Sequence, residues 1–383
     1  MFSLLLAAIT FADVAPVFEK RCAACHRPGE IGRMPLTTHA EARPWAKAIR
    51  QAVLTRAMPP WFAAGGSLEF ENDPRLSAEE IRLVDEWVRG GAQAGAVTAG
   101  RPAPPSQTAD LVLSMPSPVL VPANEELDYV YVVLPLGLRQ DRWVRAVEVR
   151  PGARKAVHHA VVYVREKGDD WPATRRVTTN EILAIYAPGQ PPAEWPAGMA
   201  KMIPAGADLV LQMHYTPSGR AEEDRTAVAI RWANQEPTHR VLTLQLHTTK
   251  FRIPAGDPHH RATVSGTLPN DALLLGLFPH LHLRGKAFEY AIASGEGRLE
   301  TLLRVAPYDF YWQLYYRLKS PRLLPKGARL VATAWWDNSR NNPRNPDPNA
   351  EIVYGEQSRD EMMVGFFDVA VPAAVDKKTF FLR

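Results

Sequence analysis

Apolar positions recur at helical spacing only in the first quarter of the chain. Val14, Val17 and Phe18 share one side of the segment 13–21. Thr38-x-x-Glu41 is a capping box, followed at four-residue intervals by Trp45, Ile49 and Val53. Ser77-x-x-Glu80 is a second box; it opens a helix with Ile81, Val84, Trp87 and Val88 on one face, which Gly90-Gly91 stops. Beyond residue 108 the helical period vanishes. Short apolar runs at 129–134, 143–149, 160–164, 209–213, 226–232, 241–246, 272–277 and 287–292 read as strands. Many of the 34 prolines punctuate these runs. The pattern predicts a helical first part and β-sandwiches or jelly rolls after it. A Gly-, Ala- and Pro-rich stretch between 90 and 108 separates the two as an extended linker. There is no internal repeat.

Composition narrows the function classes. A chain of 383 residues holds two or three domains. The net charge of +4 is spread along the sequence, with no Lys/Arg run and no nucleic-acid motif, so nucleic acid is not an expected partner. Residues 1–12 are apolar and end in Thr10-Phe11-Ala12, which reads as a truncated signal peptide lacking a basic n-region. The stretch is too short to span a bilayer, and no other run is long enough, so no stable membrane span is expected.

The only two cysteines stand in Cys22-Ala23-Ala24-Cys25-His26. This is the c-type haem attachment signature: two thiols one helical turn apart add to the two vinyl groups, and the adjacent imidazole reaches the iron. A zinc site would want more thiols. Met58, stiffened by Pro59 and Pro60, is the first choice for the sixth iron ligand, with Met34 and His39 as alternatives. Helix, haem loop, helix, Met loop and helix over 13–95 resemble a class I cytochrome c. Such a haem implies export, to the periplasm or beyond.

A second constellation lies among the strands. His158-His159 opens one strand, His214 ends another in Leu-Gln-Met-His-Tyr, and His280-Leu281-His282 ends a third, followed by Leu283-Arg284-Gly285-Lys286. Downstream comes Arg359-Asp360-Glu361-Met362-Met363. His280 and His282, two apart on a strand, point to one face. Two imidazoles and a thioether favour copper. His158 and His159 are adjacent and would face opposite ways on a regular strand; a bulge, or ligation through Nδ1 by one ring and Nε2 by the other, would bring them together.

The order HH, H, HxH and Met resembles the type II copper, ascorbate-dependent monooxygenases, whose animal members are dopamine β-monooxygenase and peptidylglycine α-hydroxylating monooxygenase. The resemblance covers 108–383. It implies two β-sandwich subdomains, 108–235 and 236–383, each with one copper. His158, His159 and His214 would hold the electron-transferring copper. His280, His282 and Met362 would hold the copper at which dioxygen reacts, with Met363 as the alternative thioether. Catalytic weight therefore falls on His280, His282 and Met362.

The chain departs from the animal enzymes in two respects. Both cysteines are committed to haem, so no disulfide staples the sandwiches. The positions that bind a peptide carboxylate in the peptidylglycine enzyme are Phe278, Val364 and Phe366 here, which points away from a C-terminal glycine and toward an apolar or aromatic substrate. The segment 335–339 is a candidate pocket wall.

The expected architecture is multidomain: a signal at 1–12, a small all-α cytochrome c domain at 13–95, a linker at 96–107 and the two all-β copper subdomains. The expected activity is hydroxylation of a C–H bond of a small organic molecule with dioxygen. Electrons would come from an external donor, a redox protein or small reductant, through one covalent haem to two coppers. Two alternatives are a non-catalytic periplasmic electron-transfer or copper-binding protein, and a copper–haem oxidoreductase that inserts no oxygen.

Overall fold

A computed structural model describes residues 8–96, 108–169, 171, 181–293 and 298–380. Most of the proposed leader (1–7) and most of the linker (97–107) lie outside the described residues. The chain forms two compact units: residues 1–61 with 73–107, and residues 62–72 with 108–383.

In the first unit, α1 (Phe11–Arg21), α2 (His39–Ala42), α3 (Ala46–Leu54) and α4 (Ala78–Arg89) follow the capping signals. The Thr38 and Ser77 hydroxyls accept from the backbone N–H of Glu41 and Glu80 at 3.3 and 3.1 Å. Thr10 caps α1, with the Asp13 carboxylate accepting its N–H at 2.8 Å. The helix expected through Trp45 breaks instead: Arg43–Trp45 is a 3-10 turn and Trp45 is exposed. Pro44 is the cause, because its ring collides with the carbonyl four residues back. Phe11, Phe18 and Trp87 pack ring on ring at 5.7–5.9 Å to make the core. A leader cleavage after Ala12 would remove Phe11 from it.

The second unit is built from strands. One nine-stranded sheet runs in the order Tyr316–Leu324, Ala272–His280, Val364–Pro372, His239–His247, Met199–Ile203, Arg142–Arg150, Ala227–Trp232 and Leu111–Ser114, with Ala193–Glu194 beside Arg142–Arg150. A four-stranded sheet, Val130–Leu134, Asp208–Tyr215, Val157–Arg165 and Glu181–Tyr186, shares a hydrophobic core with it. A five-stranded sheet contains Ala63–Gly65, Leu299–Val305, Gly285–Ala293, Arg329–Trp336 and His260–Thr267. Its Phe288 and Tyr290 rings close on Gly365, where a Cβ would lie 2.9 Å from the Tyr290 ring.

This architecture corrects the expected fold class. Among the described residues the chain is predominantly β-sheet, with three helices longer than one turn, and no self-contained all-α cytochrome c domain over 13–95 is found. The segment 62–72, read as part of the Met loop, belongs to the β unit: Ala63–Gly65 pairs with Leu299–Val305, and Phe70 bridges Leu318. Nor are there two separate sandwiches divided at 235/236. Met199–Ile203 pairs in parallel with His239–His247, so strands from both expected subdomains join one sheet. The sequence pattern marks strands, but the partner of a strand end is set by non-local pairing that leaves no local trace.

No helix among the described residues is long and apolar enough to cross a membrane.

Candidate metal centre

The strand Val157–Arg165 pairs antiparallel with Asp208–Tyr215, placing His159 opposite His214. The next pair is Val157 with Tyr215, so His158 is the extra residue of a β-bulge. The bulge turns adjacent histidines toward one point. The three Nδ1 atoms stand 3.1, 3.3 and 3.4 Å apart. A circle through them has a radius of about 1.9 Å, close to a metal–imidazole bond of about 2.0 Å. All three rings thus face inward through Nδ1, and the mixed Nδ1/Nε2 arrangement is not adopted.

Each outer nitrogen has a partner. His158 Nε2 donates to the Phe310 carbonyl at 3.0 Å, and the Phe310 ring stacks on His158 at 4.5 Å. His214 Nε2 meets the Ser358 hydroxyl at 3.1 Å, and His159 Nε2 meets the Tyr129 hydroxyl at 3.5 Å. These contacts orient the rings and leave Nδ1 lone pairs for an ion. Burial pushes His158 down to about 4, and burial with the neighbouring imidazoles holds His159 and His214 well below the usual histidine range. The rings are neutral near pH 7, as ligation requires. The set fits a resident metal.

His280 and His282 come from the end of Ala272–His280 and the turn after it. His280 Nδ1 donates to Gln313 Oε1 at 2.6 Å, which leaves Nε2 as the free ligand atom. His282 is completely buried; neither ring nitrogen makes a hydrogen bond of good geometry, and only the backbone of Gln357 and Asp360 approaches the ring. An imidazole so placed is costly without an ion or water. The two rings stand 5.3 Å apart and perpendicular. The second set was expected to lie apart from the first in a different subdomain. Instead the His280 and His159 rings are 5.5 Å apart, and the five histidines form one neighbourhood.

Met362 lines a cavity of about 100 Å³ together with His159, His280, Phe278, Val364 and Phe366. Met363 is fully buried and does not line it. The segment 335–339 is not in the wall. Trp336 donates to Glu361 and stacks on Phe251, and Asn338 accepts from Arg284 Nε at 2.8 Å.

Sequence reasoning overlooked Glu361. This buried carboxylate accepts the backbone N–H of His282 at 3.0 Å, that of Arg284 at 2.7 Å and Trp336 Nε1 at 2.9 Å. It ties the His282 turn to the residue before Met362. Burial pushes it up to about 7 despite these donors. Its signal was its adjacency to Met362. Gln313, Phe310, Ser358 and Tyr129 carried no sequence signal.

In the first unit, Cys22 caps the end of α1, and the Cys25, His26 loop follows. His26 Nδ1 bonds the Met34 carbonyl at 2.9 Å, which fixes the ring and leaves Nε2 as its other donor atom. Gly32 closes on this loop, where a Cβ would lie 2.5 Å from the Cys25 carbonyl and 2.7 Å from His26 Nδ1. Burial pushes the Cys22 and Cys25 thiols up to about 12 and about 11. Both thiols are therefore protonated near pH 7 in the unmodified chain. Met58 sits in a groove with Val53, Leu76 and Ile81; His26 does not line that groove. Met34 packs on the core as well as holding His26. His39 Nε2 bonds the Ala92 carbonyl at 2.8 Å, a structural use.

No known family's sequence model matches the chain, and no curated protein matches it. Among solved structures, it is similar to the major capsid protein P2 from bacteriophage PM2 at 9% identity and a TM-score of 0.30, over 70% of this chain and 98% of that one. A structure of infectious bursal disease virus Gx strain matches at 9% identity and a TM-score of 0.20, over 73% and 77%. Allantoicase matches at 8% identity and a TM-score of 0.18, over 56% and 78%. Likeness at this level bears on neither fold nor function.

Proposed function

We propose that this chain is a copper-dependent monooxygenase, similar to the type II, ascorbate-dependent class, that hydroxylates a C–H bond of an organic substrate. The convergence of three buried Nδ1 atoms beside a second His/His/Met set carries this reading. When bound, copper would supply the one-electron chemistry that lets dioxygen attack a C–H bond.

The protein's own residues divide the work. Phe310, Ser358 and Tyr129 fix the ring orientations of the first set. Gln313 fixes the tautomer of His280. Glu361 holds the turn that carries His282 next to Met362. Phe278, Val364 and Phe366 exclude water from the cavity and fit an apolar substrate rather than a peptide carboxylate. Cys22, Cys25, His26 and Met58 would hold one covalent haem, which would supply one-electron transfer from an external donor. Haem attachment of this kind would go with export to the periplasm or outside the cell.

The test is turnover under labelled dioxygen. One labelled atom should enter the product, and dependence on an added small reductant should rise in a Cys22→Ala, Cys25→Ala variant. An oxidised product without label would favour an oxidoreductase that inserts no oxygen.

A further inference from the structure

The strands His239–His247, Val364–Pro372 and Ala272–His280 lie side by side, and their registers set three rows on one face of the sheet. The first row is His247, Val364 and His280. The second is Gln245, Phe366 and Phe278. The third is Thr243, Asp368 and Gly276. Rows are two residues apart, so the third lies roughly 13 Å along the face from the first. The cavity beside His280 follows this face as far as Thr243. A larger cavity of about 410 Å³ shares Ile185, Thr243, Phe278 and Phe366 with it and continues to Lys201, Asp368, Tyr315 and Trp195.

The third row ends in a built polar group. Lys201, only 1% exposed, donates from Nζ to the Ile182 carbonyl at 2.7 Å and to Thr243 Oγ1 at 2.5 Å. Its Nζ is 3.9 Å from Asp368 Oδ1. Asp368 accepts from the Thr243 hydroxyl, and from the Tyr315 hydroxyl at 2.8 Å. Gly276 makes room for that ring, since a Cβ there would lie 2.1 Å from the Tyr315 hydroxyl. An ammonium has three donors and a carboxylate about four acceptor positions, so each keeps spare capacity. A hydroxyl both donates and accepts and satisfies the two together. A carboxylate head would meet Lys201 but face the charge of Asp368; an amine would meet the reverse.

We propose that the two cavities form one track for an alcohol with an extended apolar chain. The hydroxyl binds Lys201 and Asp368, the chain crosses Phe278 and Phe366, and the far carbon reaches the His280 and Met362 end. The fate of that carbon rests on the function proposed above; the binding does not. In the reaction, one oxygen atom enters the far C–H bond and the other leaves as water, with two electrons from the external donor and two protons.

Equilibrium partition of 1-octanol, 1-butanol and n-octane into the full-length, metal-loaded protein tests the track. The expected result is 1-octanol bound at least about tenfold more tightly than either comparison, because only it has both head and length. Lys201→Met should remove most of that advantage and leave n-octane unchanged. Should that variant fail to fold, the three-ligand comparison on the unaltered protein still decides. Equal binding of 1-octanol and n-octane, or of 1-octanol and 1-butanol, would overturn the proposal, as would label from dioxygen placed beside the hydroxyl instead of at the far end. Binding in the expected order with no label in the product would uphold the track and contradict the monooxygenase reading.

Discussion

The two histidine sets are neighbours with opposite construction. Around His158, His159 and His214, every outer ring nitrogen is tied to Phe310, Tyr129 or Ser358, and the inner nitrogens already stand at metal-binding separation. Around His280 and His282, one ring is tied to Gln313, the other is approached only by the backbone of Gln357 and Asp360 without a hydrogen bond of good geometry, and a thioether borders the same cavity as His280. The first set is preorganised and largely closed, with only His159 bordering that cavity, which suits an ion that changes oxidation state with little rearrangement. The second has fewer restraints and an adjacent cavity, which suits a centre that must admit dioxygen and a substrate. On the proposed function, similar side chains would take different roles from what supports them.

The largest effect should follow from breaking the closed set. His159→Ala removes one of three converging ligands, so copper binding there should fall by more than the roughly 100-fold that loss of a supporting partner costs. Copper titration and labelled-dioxygen turnover check this; retained turnover would mean that the two sets do not depend on each other. Met362→Ile should alter one copper and spare the other, seen as loss of a sulfur scatterer in the Cu(I) X-ray absorption spectrum. Met363→Ile, which conserves volume in the core, should cost less than about 1.5 kcal/mol of stability and leave both coppers intact.

Gln313→Leu sharpens the comparison more gently. It frees the His280 ring and should weaken copper at the open set by roughly 10- to 100-fold, with the closed set unchanged in the same titration. The last effect concerns pH. In chelator-treated protein, His158 and His280 are held at about 4 against an ordinary value of 6.5. Above pH 6.5 both states of the chain hold these rings neutral. As pH falls below it, the unfolded chain takes up protons that the folded one refuses, and stability declines until about pH 4. The loss is on the order of 3 kcal/mol for each ring acting alone. Denaturant melts across that window, with and without copper, measure it.

The sequence exposed much of this in uneven measure. Capping boxes at Thr38 and Ser77 located helices because capping is local chemistry. The eight apolar runs all fall on strands because alternation is local too. Which strands share a sheet is not local: nothing in residues 62–72 announces pairing with Leu299–Val305, and nothing at 199–203 announces the parallel join to His239–His247. The same division holds at the site. Histidine spacing picked out the candidate ligands, and the bulge at His158 is one of the arrangements that the adjacent pair left open. The supporting residues come from distant segments and had no motif. That the two sets are neighbours was equally hidden, since it depends on how the four-stranded sheet packs against Phe278 and Val364.

Metal analysis of the purified, haem-loaded protein tests the central claim most directly. The account predicts two coppers for each haem iron, one of them lost in His159→Ala and the other altered in Met362→Ile. A single copper per haem, or zinc filling the three-histidine set in its place, would contradict it.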